Sequence, residues 1–276
     1  MSSRTFVFIV GWLVFGCGVN QGQPVTGHSN NLWELVFADE FDGASLNSQV
    51  WTPELGTGES RGIVGWGNNE LQYYTARTEN LSVDDGTLKI TATAESYEGS
   101  AYTSARIVTQ DLVSTQYGRI EARMKLPAGQ GLWPAFWLLG SNFSEVSWPE
   151  CGEIDVMEFR GQDPAVVHGT VHGPGYSGGA SIGGSYILED GGTFSDSFHV
   201  FGVDWDSEVI SFWVDGVHYF KIRRSQLTPD QPWVFDQPFF LLLNLAVGGN
   251  YVGPPDSETL FPAVLEVDYV RLYRRN

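Results

Sequence analysis

The stretch GRIEARMK, residues 118–125, decides the fold class, because its apolar and charged side chains alternate strictly. Ile120, Ala122 and Met124 fall on one face of an extended chain, and the charged side chains fall on the other. A strand with one apolar and one wet face is typical of an antiparallel sheet. The stretch therefore predicts a β-protein.

Short runs of strand-forming residues and turn signals continue on both sides of this stretch. Asp215-Gly216 separates two apolar runs and indicates a hairpin, because glycine readily adopts positive φ. Residues 84–86, Asp-Asp-Gly, separate two further runs in the same way. Many strands at short spacing predict an all-β fold, a β-sandwich of two curved antiparallel sheets. Other predicted strands cover residues 102–109, 131–139, 152–159, 166–172, 199–205, 239–246 and 263–273.

Composition supports a large folded domain and restricts its ligands. The chain has 276 residues, of which 42% are hydrophobic and 14% aromatic, enough for a sizeable core. It carries 15 Lys and Arg against 33 Asp and Glu, a net charge of −18. Such a surface repels phosphate backbones, so we expect no nucleic acid partner and favour a neutral ligand.

The first 31 residues predict export followed by a linker. Residues 1–4 supply a positive start, and the apolar run over 5–15 has signal-peptide length but is too short to span a bilayer. We divide the chain into an export signal (1–17), a linker (18–31) and one domain (32–276). Cys17 leaves two alternatives open: a lipid anchor at the cell envelope, or a cleaved, secreted protein whose remaining thiol is Cys151.

A second stretch, WPECGEIDVMEFRG (148–161), concentrates acids on a predicted strand. Glu153 and Asp155 share one strand face, whereas simple alternation would place Met157, and not Glu158, beside them. One extra residue, a β-bulge, returns Glu158 to that face. Three neighbouring acids repel one another, which is difficult to explain by folding alone. A solvated acidic strand edge is the structural alternative.

Two carboxyl groups facing one cleft are the arrangement that glycoside hydrolysis requires. In retaining enzymes the two groups lie about 5–5.5 Å apart, one as nucleophile and one as acid/base. Sequence spacing does not supply that separation, because Glu153 and Glu158 are several residues apart along the strand. The side chains must converge across a bend.

The acidic stretch resembles the signature of glycoside hydrolase family 16, in the form with an extra residue that occurs in laminarinases, its endo-β-1,3-glucanases. The resemblance implies a jelly roll with the substrate cleft on the concave face. It implies that Glu153 is the nucleophile, Glu158 the acid/base and Asp155 the residue that tunes them. Six further blocks resemble the family: GWGNNELQYYT (65–75), YTSARI (102–107), GLWPAFWLLG (131–140), HGPGYSGG (172–179), PFFLLLNLAVGG (238–249) and VDYVRLY (267–273).

Aromatic and polar residues near the acids are candidate sugar contacts. Trp133 and Trp137 are four residues apart and so share a strand face, and Trp148 directly precedes the acidic run. We expect these three rings to stack on sugars, with core filling as the alternative. By the resemblance, Asn68 and Arg106 line the glycone side of the cleft. Asn68 capping a turn is its alternative role.

Two histidines in HGTVH, His168 and His172, share a predicted strand face. A third ligand at zinc spacing is missing from the sequence, so we do not expect a metal there. We expect His172 in the cleft near the acid/base Glu158, and His168 as a structural partner.

A structural calcium ion is implied by the resemblance alone, with Glu40, Gly86 and Asp268 at the matching positions. Oxygen ligands suit calcium, and a solvent-facing strand acid is the alternative for Asp268. We expect no cofactor for catalysis, a neutral β-glucan substrate, and a monomer. Other family 16 activities, such as mixed-linked β-1,3-1,4-glucan hydrolysis, and a non-catalytic glucan-binding module remain alternatives.

Overall fold

Gly118–Lys125 form a β-strand in the computed structural model of the protein, as their alternation predicts. The three apolar side chains of this strand are completely buried in the core. The charged face of the strand is less exposed to solvent than expected, because Glu121 is buried. Its carboxylate accepts a hydrogen bond of 3.0 Å from the Tyr273 hydroxyl.

The structure describes residues 32–189 and 191–276, so the predicted export signal (1–17) and linker (18–31) lie outside it. Helices in the described residues are one α-turn, α1 (Phe143–Val146), and 3₁₀ turns at Glu59–Arg61, Val64–Gly67, Gly178–Ala180 and Arg224–Gln226. The strands are β1 (Trp33–Asp39), β2 (Thr52–Glu54), β3 (Gln72–Tyr74), β4 (Leu81–Asp84), β5 (Thr87–Tyr97), β6 (Ser100–Ser104), β7 (Arg106–Val108), β8 (Ser114–Thr115), β9 (Gly118–Lys125), β10 (Leu132–Gly140), β11 (Glu153–Phe159), β12 (Val166–His172), β13 (Ile182–Ile187), β14 (His199–Trp205), β15 (Val209–Val214), β16 (Val217–Arg223), β17 (Phe239–Val247) and β18 (Ala263–Arg275).

The strands form two stacked sheets, a β-sandwich of the jelly-roll type, as predicted. The ten-stranded sheet runs β16-β15-β14-β9-β18-β5-β6-β3, with β1 beside β18 and β4 beside β5. The eight-stranded sheet runs β13-β12-β11-β10-β17-β7-β2, with β8 beside β17. One pair departs from the antiparallel expectation, because β3 and β6 are parallel.

The two faces of the eight-stranded sheet differ, because one enters the main core and the other combines charged residues with a small apolar cluster. Alternate side chains such as Leu138 and Ile154 enter the main core. The opposite face, which we call the cleft face, carries Trp137 and Asp155 and has its own small apolar cluster. That cluster consists of Val108, Leu139, Cys151, Phe240 and Leu242, with Trp137 and Phe143 packed against it.

A row of directly paired residues crosses the cleft face at right angles to the strands. Pairing places each residue beside the next, so their side chains project on the same side. We call this set the cleft row, which runs through His168, Glu158, Ala135, Asn244, Arg106 and Glu54. The row connects the acidic strand β11 with the edge strand β2.

Among residues 32–189 and 191–276, the structure contains no helix that is long and apolar enough to cross a membrane.

Candidate active site

A β-bulge in β11 brings the three acids of the strand together. In the ladder with β12, Val156 and Met157 together occupy the space opposite the single residue Gly169. Both bulged side chains enter the core, and Glu158 returns to the cleft face with Glu153 and Asp155. The predicted bulge is therefore confirmed, and so is its effect on Glu158.

Glu158 is held by two hydrogen bonds from neighbouring strands. Its Oε1 accepts one from the indole nitrogen of Trp133 at 3.2 Å, and its Oε2 accepts one from the Thr170 hydroxyl at 3.4 Å. Burial, followed by the charge of Glu153, raises the pKa of Glu158 to about 7. A carboxyl with this pKa is suited to give and take a proton near neutral pH.

Glu153 and Asp155 lie beside each other on the cleft face, close enough that each shifts the pKa of the other. Two adjacent buried carboxyls are most stable with one proton between them. Burial and then the charge of Asp155 raise the pKa of Glu153 to about 8. Burial and then the charge of Glu158 raise the pKa of Asp155 well above its usual range. The pKa of Glu153 thus exceeds that of Glu158, contrary to the expected division into an ionised nucleophile and a protonated acid. The three carboxyls titrate as one coupled set.

His172 lies beside Glu153 and Asp155, and it is also near enough to Glu158, as expected, for its charge to lower the pKa of that carboxyl. Strands β11 and β12 are antiparallel, and the register pairs His172 with Glu153 and His168 with Glu158. Nε2 of His172 is 3.1 Å from Oδ2 of Asp155 and 3.8 Å from Oε1 of Glu153. His168 instead has Arg160 at 3.5 Å and the ring of Tyr251 at 6.1 Å, which fits its expected structural role.

The tautomer of His172 follows from its other nitrogen. The backbone N–H of Gly178 donates to Nδ1 at 3.1 Å, so Nδ1 is an acceptor and Nε2 carries the proton of the neutral ring. Nε2, Glu153 and Asp155 offer three atoms within 4.8 Å of one another, close enough for a metal ion. A metal ion bound to Nε2 would leave the ring proton on Nδ1, where it would face the Gly178 N–H donor. The arrangement therefore favours proton sharing among His172, Glu153 and Asp155 over metal binding.

The three expected sugar-stacking tryptophans all lie around the acids. Trp133 and Trp137 share the cleft face as predicted, and the ring of Trp133 packs 5.1 Å from that of Tyr251. Trp148 is 42% exposed, lies 5.9 Å from the ring of His172, and donates a hydrogen bond that lowers the pKa of Glu153. Trp148 is therefore the ring near the acids that is open to a ligand.

Arg106 lies on the side of the cleft face towards β2, and Asn68 lies in the loop before β3. The guanidinium of Arg106 sits between two indole rings, 4.5 Å from Trp66 and 4.8 Å from Trp137, and also pairs with Glu54. Asn68 caps the end of the 3₁₀ turn Val64–Gly67, which is its alternative predicted role, because its backbone N–H donates to the Gly65 carbonyl. Its own carbonyl accepts a hydrogen bond from the backbone N–H of Asn250 at 2.8 Å.

Comparison with known proteins decides the family. The family model described as glycosyl hydrolases family 16 matches residues 67–260. The chain belongs to glycosyl hydrolases family 16. A Rhodothermus marinus protein named Beta-glucanase is 46% identical over 254 residues, 88% of this chain and 85% of that protein.

Solved structures agree with this family 16 assignment. The endo-β-1,3-glucanase of Pyrococcus furiosus is 48% identical with a TM-score of 0.86, covering 88% of this chain and 95% of the other. The laminarinase catalytic domain of Thermotoga maritima is 48% identical with a TM-score of 0.85, covering 88% and 99%. The β-sandwich predicted from the strand pattern, and the jelly roll that the resemblance implies, are therefore confirmed as the family 16 fold.

Sequence reasoning missed a buried polar chain in this family 16 hydrolase. Trp137 Nε1 donates to Asn244 Oδ1 at 2.8 Å, Asn244 Nδ2 donates to the Tyr74 hydroxyl at 3.3 Å, and that hydroxyl donates to Glu70 at 3.2 Å. Burial raises the pKa of Glu70. One signal was present in the sequence: Asn244 is the single polar residue in the apolar run FFLLLNLAV.

The three expected calcium residues lie on or near the β1–β18 pair and the β4–β5 turn. Both carboxylate oxygens of Glu40 accept hydrogen bonds from Arg271, at 2.7 and 2.9 Å, and Asp268 Oδ2 accepts one from Arg123 at 2.7 Å. Asp268 therefore offers Oδ1, and Glu40 and Gly86 offer backbone carbonyls, which are ligands that calcium accepts. The calcium ion stays a prediction.

Proposed function

We propose that this family 16 hydrolase is an endo-acting glucanase that cleaves β-1,3-glucan chains of the laminarin type with retention of configuration. The observation that carries the proposal is the β11 bulge, which places Glu153, Asp155 and Glu158 together on the cleft face. Endo-β-1,3-glucanases and a laminarinase among its similar structures support the substrate.

In the proposed reaction, an oxygen of Glu153 attacks the anomeric carbon while Glu158 gives its proton to the departing glycosidic oxygen. The C–O bond to the leaving sugar breaks as the Glu153–sugar bond forms, giving a covalent intermediate. Glu158, now ionised, takes a proton from water as that water attacks the same carbon, which releases Glu153. Each carboxyl ends in the protonation state in which it began.

Asp155 and His172 have a supporting part in this reaction. When Asp155 holds the shared proton, it donates to Glu153 and leaves that carboxyl ionised for attack. The Nε2–H of His172 faces the same two carboxyls and adds positive partial charge beside them. Asp155 and His172 thus determine which of the three neighbouring carboxyls carries a proton.

The substrate is proposed to be neutral because the cationic groups of the site are already paired. Arg106 is neutralised by Glu54, and the chain as a whole carries a charge of −18. Sulfated galactans would require a basic cleft to balance their charge. Tryptophan rings instead offer apolar faces to the C–H faces of neutral sugars.

Two other functions compete with this proposal. Mixed-linked β-1,3-1,4-glucan would meet the same acids and differ only in how the chain bends through the cleft. A non-catalytic glucan-binding module would not need a bulge that costs mutual repulsion among three buried acids. Because all three acids are retained together, catalysis is the better explanation.

We propose that residues 1–17 direct export of the protein. The exported protein is then either attached to the cell envelope by a lipid at Cys17 or secreted after cleavage of the signal. The enzyme is proposed to act as a monomer, with a structural calcium ion held by Glu40, Gly86 and Asp268.

Product analysis tests the proposal directly. The protein is incubated separately with laminarin, barley glucan, agarose and carrageenan, and early products are sized. We expect a ladder of oligosaccharides from laminarin and a rapid fall in its chain length. Early release of glucose alone would contradict the endo mode, and preferred cleavage of barley glucan would select the mixed-linkage alternative. The inactive Glu153→Gln variant is the control.

A further inference from the structure

The loop between β12 and β13, residues 173–181, reaches the acids of the site through a backbone N–H group. That group belongs to Gly178 and donates to Nδ1 of His172 at 3.1 Å. The other ring nitrogen, Nε2, lies 3.1 Å from Asp155 and 3.8 Å from Glu153. The position of one loop N–H therefore decides which nitrogen of His172 carries the proton.

The choice of tautomer matters because the two forms of the ring differ in what they present to the acids. While Gly178 donates to Nδ1, the proton of the neutral ring stays on Nε2 and points a positive partial charge at the carboxyls. Without that donor the proton can move to Nδ1, and Nε2 then turns a lone pair towards the carboxyls. A lone pair favours a protonated carboxyl, so Glu153 would ionise at higher pH.

The β12–β13 loop has little conformational preference of its own. Its sequence is GPGYSGGAS, in which four of the nine residues are glycine. Glycine loses more conformational freedom on ordering than any other residue. Contacts outside the loop must therefore hold the Gly178 N–H in place.

Tyr176 supplies such a contact from the middle of the loop. Its side chain is completely buried, and its hydroxyl donates to the carbonyl of Pro232 at 2.9 Å. The backbones of Tyr176 and Gly173 exchange two hydrogen bonds, at 3.0 and 3.1 Å. The tyrosine ring covers Gly173 so closely that a Cβ there would lie 2.4 Å from it. Tyr176 thus closes the loop on itself and ties it to the loop between β16 and β17, residues 224–238.

The β16–β17 loop packs against the chain on both sides of the pair formed by Glu153 and His172. One of its backbone carbonyls lies so close to Gly175 that a Cβ there would approach the oxygen to 2.4 Å. One of its valines lies against Gly152, where a Cβ would be 2.9 Å from the valine side chain. This loop is therefore a common support for the residue before Glu153 and for the loop after His172.

The charged groups that face His172 lie on β11. Asp155 and Glu153 are the nearest, and the charge of His172 also lowers the pKa of Glu158. The β12–β13 loop and β13 have no charged side chain in their sequence, and the ring of Trp148 that packs on His172 is uncharged. The Gly178 N–H thus orients the ring from the side opposite the acids.

We propose that Tyr176 is a positioning residue of the enzyme, which holds the Gly178 N–H on His172 by tying the β12–β13 loop to the β16–β17 loop. His172 in turn keeps its Nε2–H directed at Glu153 and Asp155. The inference rests on the proposed function and adds to it a residue that acts on the nucleophile through His172.

The first test is the pH dependence of kcat/KM on laminarin for Tyr176→Phe, which removes the hydroxyl and keeps the buried ring. We expect the acidic limb of the profile to move upward by roughly 0.5 to 1 pH unit, because the nucleophile ionises later. Tyr117→Phe is the matched control, since the Tyr117 hydroxyl donates to Asp236 of the β16–β17 loop at 3.1 Å. It removes a hydrogen bond of the same kind without loosening the β12–β13 loop and should follow the wild type.

Nitrogen-15 NMR of the histidine rings is the second test, and it needs no substrate. We expect the neutral His172 ring of the wild type to carry its proton on Nε2, and that of Tyr176→Phe to show a share of the Nδ1–H form. The signal that disappears in His172→Gln identifies the ring. Gly175→Ala, whose Cβ would push the two loops apart, is a second variant and should move both readouts in the same direction.

The outcomes separate this inference from the proposed function. An unchanged pH profile and unchanged His172 signals in both loop variants would overturn the positioning role. A loss of kcat/KM by the same factor at every pH, with the tautomer kept, would overturn it too, because it would assign Tyr176 to stability alone. If the wild type did not hydrolyse laminarin, the proposed function would fail, and the NMR measurement would still decide whether Tyr176 sets the tautomer.

Discussion

Oδ2 of Asp155 is a buried carboxyl oxygen that lies 3.1 Å from Nε2 of His172 and accepts no well-formed hydrogen bond within the described residues. An ionised carboxylate oxygen in that position would lose hydration without full compensation. The cost falls when the carboxyl is neutral, which agrees with the strongly raised pKa of Asp155. Glu153 and Asp155 therefore compete for a proton near neutral pH, and attack by Glu153 requires the form in which Asp155 holds it.

The first prediction concerns the two reacting carboxyls. Glu153→Gln and Glu158→Gln keep size and hydrogen-bonding shape but remove, respectively, the nucleophile and the proton donor. We expect each folded variant to lose hydrolysis of laminarin by several orders of magnitude. Reducing-sugar release measures the rate, and near-normal activity in either variant would remove that residue from the mechanism.

The second prediction concerns stereochemistry. Attack by Glu153 followed by attack of water inverts the anomeric carbon twice, so the first product should be the β-anomer. Proton NMR of fresh digests, recorded before mutarotation, distinguishes the anomers. Initial appearance of the α-anomer would mean that water attacks directly and that Glu153 acts as a base.

The third prediction concerns stability against pH. The folded protein binds the Glu153 proton more tightly than the unfolded chain, because burial raises this pKa from 4.5 to about 8. The resulting stabilisation is complete below about pH 4.5 and is lost as pH rises through about 8. Glu153→Gln lacks this loss, so we expect its stability relative to wild type to increase by about 3 to 4 kcal/mol between pH 5 and pH 8.

Urea unfolding at the two pH values measures this difference. Glu145→Gln, which changes an exposed glutamate of α1, is the control and should follow the wild type at both. An offset of Glu153→Gln from wild type that is the same at pH 5 and pH 8 would contradict the linkage between proton binding and folding.

The sequence predicted those parts of the site that depend on local periodicity. The spacing of Glu153, Asp155 and Glu158 violates period two by one residue, and the bulge is the local geometry that repairs it. The position of His172 was not predictable in the same way. Its neighbour depends on the register between β11 and β12, which sequence spacing within one strand does not determine.

Long-range polar partners were beyond sequence reasoning for a similar reason. Asn244 meets Trp137 and Tyr74 only because β17 lies beside β10 and near β3, at sequence separations of 107 and 170. Likewise, Glu54 was not proposed as a partner of Arg106, since the pairing of β2 with β7 joins residues 52 positions apart.

The fourth prediction tests that polar chain. Asn244→Leu removes the acceptor of Trp137 and leaves its buried indole N–H unpaired, which costs about 1–3 kcal/mol of stability. We expect the Trp137 ring to lose its fixed orientation over Arg106, raising KM for laminarin severalfold. Tyr74→Phe removes only the next hydroxyl along the chain and should change KM less. Equal effects of both variants would show that the chain does not act through Trp137.

The last prediction separates binding from chemistry at Trp148. This ring is partly exposed, lies beside His172 and donates to Glu153, so it can stack on a sugar and also influence the nucleophile. If stacking stabilises ground state and transition state alike, Trp148→Ala raises KM and leaves kcat nearly unchanged. We expect this result, since 42% of Trp148 is exposed and available to a ligand. Trp148→Phe retains an aromatic face without the N–H donor and should recover much of the KM. A loss confined to kcat in both variants would instead assign Trp148 to the tuning of Glu153.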